Sequence, residues 1–503
     1  MDEQFDVIIV GAGISGIDAA HHLMRECPDL RFAILEGRDT IGGTWDLFRY
    51  PGIRSDSDMF TLGFPFRPWR GEKAIADGGD ILDYLRDTVR DEGIDRHIRL
   101  RHRVRRADWS SDTARWTVEV ACDGTTQRLQ ARFLYLCSGY YDYDHGHAPD
   151  FPGAETFAGT VVHPQFWPPA LDWSGRRVVV IGSGATAMTL VPALAGTAGH
   201  VTMLQRSPTY VVARPARDAL AAVLRRILPA GTAHSLTRWR SVLVQQFFYT
   251  LMRRRPEAAK ERLVGMVREA MGPGYDVATH FTPRYNPWDQ RLCLVPDGDL
   301  FDALRAGKAE VVTDTIDRFV PEGIALGSGR VLPADIIITA TGLKVKLMGG
   351  IDVAVDGEPV RWAERLTYKG MMFSGVPNLA LAFGYTNASW TLKADLTARY
   401  VTRLLKAMAR RGMRQVTPMP TAPVDPAPFL DFTSGYVRRA IDDLPRQGTR
   451  RPWRLHQNYL RDLMLMRFGS LDEEMVFSNP ETPAAAPSAA PAHEPATAAA
   501  GRP

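Results

Sequence analysis

The chain has 503 residues, enough for two or three domains with sizeable cores. Its 45% hydrophobic and 23% charged content is that of an ordinary globular protein, and a net charge of +4 is too small to argue for a nucleic-acid partner. The longest apolar run, Val242 to Met252, carries Gln245 and Gln246 and falls short of the about 20 residues a membrane span needs. The acidic start Met1-Asp-Glu-Gln-Phe5 has no basic n-region, so no signal peptide is expected. Cys27, Cys122, Cys137 and Cys293 are widely spaced and form neither Cys-x-x-Cys nor a zinc pattern. A reduced, cytoplasmic protein without a metal is expected.

In chain order, Asp6 to Val10 is a short apolar run ending at Gly11, which predicts a buried parallel strand feeding a phosphate loop. The loop Gly11-Ala-Gly13-Ile-Ser15-Gly16 precedes a helix expected from about Ser15 to Arg25. Gly11 makes the tight turn, Gly13 lets the backbone approach a pyrophosphate, and Gly16 allows close helix–strand packing. The helix N-terminus then faces the anion. A second strand, Arg31 to Leu35, ends at Glu36, where an acid is expected to bind a ribose hydroxyl. Gly42 to Asp58 reads as a long functional loop. Strands return at Trp116 to Val120 and at Phe133 to Cys137, the latter ending in Ser138-Gly139-Tyr140-Tyr141.

Phe157-Ala-Gly159-Thr-Val-Val-His163-Pro-Gln-Phe-Trp167-Pro168 follows as a connector. Its bland reading is a linker with one His and one Trp packed at a domain edge. Beyond it Arg177 to Ile181 repeats the opening design. Gly182-Ser183-Gly184-Ala185-Thr186-Ala187 leads a helix to about Leu194, and the partner strand His200 to Leu204 ends in Gln205-Arg206-Ser207. No acid stands at the ribose position. Arg206 instead favours the 2′-phosphate of NADPH, the alternative being a surface arginine. Two such loops imply two dinucleotides, most simply a flavin and a nicotinamide.

Residues 214–271 read as a helical insertion. Leu220, Val223, Leu224, Ile227 and Leu228 share one helical face, and arginines make the region basic. A subdomain packed on the core is the favoured expectation, and peripheral contact with a membrane surface the lesser one. Val331 to Gly342 and Pro377 to Gly384 read as further buried strands ending in glycine, followed by a helix from Leu392 to about Arg410. The expected fold class is α/β with two Rossmann-like domains. Residues 1–150 and 341–480 form a split flavin domain, and 151–340 a nicotinamide domain inserted in it. The Ala/Pro-rich tail 481–503 is expected to be disordered.

Three stretches together carry a family resemblance. They are Gly43-Thr44-Trp45 through Arg54-Ser55-Asp56, the connector's Phe-x-Gly-x-x-x-His-x-x-x-Trp-Pro spacing, and Tyr285-Asn-Pro-Trp-Asp-Gln290-Arg291-Leu-Cys293. The sequence resembles the class B flavoprotein monooxygenases of Baeyer–Villiger type, closest to the ethionamide-activating group. The resemblance extends to Gln457-Asn-Tyr-Leu and so covers nearly all but the tail.

It implies FAD and NADPH as cofactors and conversion of ketones to esters or lactones through a flavin peroxide. Ser15, Glu36, Thr44, Trp45, Asp56 and Val104 would contact FAD, with Gly43, Arg54 and Ser55 in the same motif. Ser183 to Ala187, Arg206 and Ser207 would contact NADPH. Arg291 would be the active-site arginine, positioned by or near Asp56; its alternative is a structural pair with Asp289. Phe157, Gly159, His163 and Trp167 would couple the domains. Many relatives carry lysine where this chain has Gln290, so selectivity for NADPH is expected to be softer.

Two other functions stay open: a flavin monooxygenase acting mainly on sulfur or nitrogen, and a nucleotide-binding redox sensor without oxygenase chemistry. The expected partners are O2 and a small ketone or sulfide. The natural substrate, regiochemistry and oligomeric state are not fixed by the residues.

Overall fold

The computed structural model describes residues 2–430 and 434–480. The tail expected to be disordered lies outside the described residues.

Two sheets organise the chain. The first is built around the Glu3–Val10 strand, which lies parallel between Phe32–Leu35 and Thr125–Leu136 with Val10 opposite Leu35 and Leu136. Glu3–Val10 is buried along its apolar half, as a strand covered on both faces must be. Beyond Thr125–Leu136 the antiparallel strands Arg115–Cys122 and Arg103–Ser110 extend the sheet, and Asp352–Val355 joins its edge. Leu379–Leu381 pairs in parallel with the end of Thr125–Leu136. Strands from both ends of the sequence therefore share one sheet.

The second sheet is parallel throughout, in the order Ala309–Thr313, His200–Gln205, Arg177–Ile181, Ile336–Thr339, Thr160–Val162. In each sheet the strand that feeds a glycine loop has its chain-order neighbour on one side and a late strand on the other. That places a topological switch point, the place where such sheets bind ligands, directly above each loop.

Three expectations are corrected. The run Val331 to Thr341 is not one strand: Val331–Pro333 belongs to a small antiparallel sheet and Ile336–Thr339 to the parallel one. The break falls at Asp335, whose carboxylate accepts bonds from the backbone N and side chain of Arg177, at 2.8 Å and 2.7 Å. Those bonds, Arg177's side chain first, hold its pKa down at about 2. Gly42 to Asp58 is not all loop, because Thr44–Leu47 forms a helical turn, and Asp58 caps Met59–Leu62 by accepting from Thr61 N.

The third correction concerns the insertion, which consists of helices Ala219–Ile227, Ala230–Arg254 and Pro256–Met271. The apolar face predicted to pack inward is largely outside: Leu220 and Val223 are 49% exposed and Ile227 69%. Leu228 falls beyond the helix. Ala219–Ile227 touches the core through the small Ala221, while Leu263, Val264 and Val267 of the third helix make the insertion's main buried contact.

Candidate active site

The two glycine loops repeat one geometry. Gly11 has φ +104°, and a Cβ there would fall 2.6 Å from the Cys137 carbonyl oxygen; Gly182 has φ +138°, and its Cβ would fall 2.3 Å from that of Ala340. Each loop thus presses against the end of the strand across its switch point, which only glycine permits. A Cβ on Gly16 would lie 1.9 Å from the Gly11 carbonyl oxygen, so the first helix closes on its own turn. The second loop has Ala187 at that place, fully buried. Neither Ile14–Glu26 nor Ala185–Ala195 has a side-chain cap at its N-terminus, which leaves their first N–H groups free for a phosphate.

Around the first loop, both Glu36 oxygens accept backbone bonds, from Ala12 N at 2.8 Å and Arg38 N at 3.0 Å. Burial raises the Glu36 pKa, and those two donors oppose the shift. The carboxylate is thereby fixed at the strand end with lone pairs left for a ribose hydroxyl. Ser15 is buried, and its hydroxyl accepts from the Trp390 indole at 2.8 Å. Gly43 packs on Gly13, and Thr44 meets the Tyr143 hydroxyl. Trp45 packs against the core around Val7 and Ile9, and Val104 is buried in the first sheet. These residues, with the glycine cradle and the uncapped helix, fit a flavin dinucleotide.

Around the second loop, the Ser183 hydroxyl donates to the Ser207 carbonyl at 3.1 Å. Gly184, Ala185, Arg206 and Ser207 are exposed, and Thr186 is half-buried under the Tyr50 hydroxyl. This open rim, with a cation at the strand end, fits a phosphorylated nicotinamide dinucleotide.

Residues 48–54 of the first unit dock on the second. Phe48 and Tyr50 enter its core. Arg54 forms an ion pair with Asp299, and a Cβ on Gly52 would come within 2.7 Å of Ala193. Arg54 is held by the other unit, and Ser55 turns inward to bond Ser57. The next residue, Asp56, meets Arg291 at 2.9 Å, each about a third exposed. Asp289 binds Arg253 at 2.7 Å.

Arg291 lines a cavity with Tyr140, Leu347, Phe383, Tyr385 and Trp390. Arg291 is the charged side chain among the described lining residues. Tyr140 stacks on Trp390, with ring centroids 5.1 Å apart. The Tyr385 hydroxyl donates to Asp462, which also holds Lys393 at 2.8 Å. Tyr140, Phe383, Tyr385 and Trp390 were missed as site residues. The signal available was their place beyond the C-terminal ends of Thr125–Leu136 and Leu379–Leu381, because open α/β sheets bind ligands at strand C-termini.

The connector runs between the units. Phe157 is buried against Phe319, and a Cβ on Gly159 would fall 2.3 Å from the Asp335 carbonyl oxygen. The His163 ring fills the space beside Gly146 and lies by the backbone of His147 and Gly342; burial lowers its pKa. Gln165 donates to the Asp142 carbonyl at 2.8 Å. Trp167 turns instead into the core of the second unit, edge-on to Trp173.

Fold and site define a flavin-dependent monooxygenase. Residues 9–70 match the NAD(P)-binding Rossmann-like domain family and residues 73–226 the flavin-binding monooxygenase-like family. The fold is that of an oxidized steroid monooxygenase bound to NADP (TM-score 0.74, 21% identity, 95% of this chain and 100% of that one). An open cyclohexanone monooxygenase gives the same figures. In sequence, the chain is 56% identical over 476 residues to the FAD-containing monooxygenase EthA of Mycobacterium tuberculosis, covering 94% of this chain and 97% of EthA. It is 48% identical over 481 residues to MymA of the same species, with the same coverage. The chain belongs to this family of FAD-containing monooxygenases.

Proposed function

We propose that the protein is an NADPH- and O2-dependent Baeyer–Villiger monooxygenase, converting ketones to esters or lactones and also oxidising sulfides. Residues 1–150 and 341–480 bind FAD, and 151–340 bind NADPH. The observation that carries this reading is the placement of Arg291, a permanent cation in an apolar cavity, paired with Asp56 where the two units meet.

A bound FAD would supply the redox chemistry, hydride acceptance from NADPH and activation of O2, while the chain's residues supply position and charge. Arg291 cannot lose its proton at working pH, so its role is to hold negative charge as it develops on the substrate's carbonyl oxygen. Asp56 orients the guanidinium. Tyr140, Phe383 and Trp390 exclude water from the reacting centre. Arg291→Ala should keep FAD and accept hydride, while ester formation falls about 100- to 1000-fold, the usual loss for one preorganised donor. Arg291→Lys should recover part of it, restoring charge without the planar fork. Stopped-flow traces and product mass on a ketone and sulfide panel check this. Near-normal ester yield in Arg291→Ala would mean that the arginine is structural.

A second reading concerns location. Among the described residues no helix is long and apolar enough to cross a membrane. Yet Leu236, Trp239, Leu243, Phe247, Phe248 and Leu251 are exposed on Ala230–Arg254, and the exposed Arg253, Arg254 and Arg255 end that helix. An apolar face with a basic end fits peripheral contact with an anionic bilayer. Flotation with anionic liposomes should succeed at low salt and weaken at high salt. Absence of flotation at low salt removes this reading.

A further inference from the structure

Away from the cavity, the first helix packs on Trp390–Arg411 across a buried polar cluster. Asp18 and His22 stand four residues apart on one face of Ile14–Glu26, and Asp395 faces them from the other helix. His22 Nε2 lies 2.9 Å from Asp395 Oδ1 and 3.7 Å from Asp18 Oδ1. One ligating atom from each residue fits within a 4.8 Å span.

Asp18 is the anomaly. It is fully buried, and neither of its oxygens meets a hydrogen-bond donor among the described residues. A buried carboxylate in that condition is costly, and native proteins give such groups a partner. The second Asp395 oxygen is taken by Arg399 Nε at 2.9 Å, so Arg399 orients Asp395 and leaves Oδ1 turned towards His22 and Asp18. Arg238 spends its Nη1 on the carbonyls of Phe60, Thr61 and Gly63 and donates nothing to Asp18.

From these observations we infer a structural divalent-cation site of zinc type, ligated by Asp18, His22 and Asp395. Two ligands at i and i+4 on one helix with a third from a facing element is an arrangement that holds zinc. Ligands about 2.0–2.2 Å from a tetrahedral ion stand roughly 3.4 Å apart, between the two separations seen here. The fourth position takes a water. The neutral imidazole would ligate through Nε2, and the ion would replace the His22–Asp395 hydrogen bond and give Asp18 its missing partner. The ion ties the helix that opens at the first glycine loop to the helix that begins at Trp390. Its role is structural, and none of its three ligands lines the cavity.

The test uses the full-length FAD-loaded protein, dialysed against chelator and then given Zn2+ alone. Mass spectrometry of the desalted protein should read about one zinc per chain, and X-ray absorption should show nitrogen and oxygen ligands only, at about 2.0–2.2 Å. Asp18→Asn, nearly isosteric, should bind zinc at least tenfold more weakly while keeping its FAD. Zinc well below one per chain overturns the inference. So does unchanged binding in Asp18→Asn, or a sulfur ligand at about 2.3 Å, which would assign the ion to a cysteine. The absorption measurement decides even if the variant fails to fold.

Discussion

Arg206 stands just past the His200–Gln205 strand, exposed at the rim of the second loop. An exposed arginine there has one use that a core residue lacks, a charged partner brought by a ligand. Arg206→Ala should weaken NADPH binding roughly 10- to 100-fold and leave NADH nearly unchanged, since a hydrogen bond to a charged group contributes about 1.5–3 kcal/mol. Titration of both cofactors checks it, and equal losses would remove the residue from the phosphate site.

Lys369 is the opposite case. Its ammonium is buried between the Ser470 carbonyl at 3.2 Å and Glu473 at 3.5 Å, over the rings of Tyr368 and Tyr400. Burial pulls its pKa from 10.5 to about 8, with Glu473 opposing. The folded protein releases this proton from about pH 8 while the unfolded chain keeps it to about 10.5, so this group makes stability rise with pH across that window. Lys369→Met should flatten the rise. Denaturant midpoints near pH 7.5 and near pH 9.5 would show it, and a parallel shift in both proteins would refute it.

At the scale of elements, the two strand–loop–helix units make separable predictions. Gly16→Ala would set a Cβ 1.9 Å from the Gly11 carbonyl oxygen, forcing the first helix off its turn. The variant should lose FAD on purification. Gly182→Ala meets the Ala340 carbonyl oxygen at 2.3 Å and takes a strained φ, so it should keep FAD and bind NADPH at least about tenfold more weakly. Flavin absorbance per chain and cofactor titration read the two losses independently. If both variants lose the same ligand, the assignment of loops to cofactors is wrong. These elements were legible because their period and their glycines are local. The break at Asp335 was not, because it depends on Arg177, 158 residues earlier in the chain. The insertion's outward face was also illegible, since periodicity reveals that a helix has an apolar side but not which side meets protein.

For the whole molecule, the junction is the 48–54 segment. Phe48 and Tyr50 pack in the second unit's core, Gly52 abuts Ala193, and Arg54 pairs with Asp299. On the proposed assignment of FAD to one unit and NADPH to the other, hydride would pass between the units and their relative setting would limit its transfer. Arg54→Ala should retain FAD and NADPH binding while flavin reduction slows about tenfold or more, as misplacement away from the chemistry commonly does. Rapid-mixing kinetics with full cofactor occupancy would reveal this, and an unchanged reduction rate would confine the pair to surface stability.

The sequence by itself determined the two dinucleotide loops, their strands and helices, and the motifs around Asp56 and Arg291, because each is a short run whose chemistry needs fixed residue types at fixed spacing. Only the tertiary structure decided which other residues meet: Arg54 with Asp299, Ser15 with Trp390, and Asp18 with Asp395. Each of these pairs joins segments more than 200 residues apart. Such contacts are fixed by how sheets and helices pack, and no local pattern encodes them.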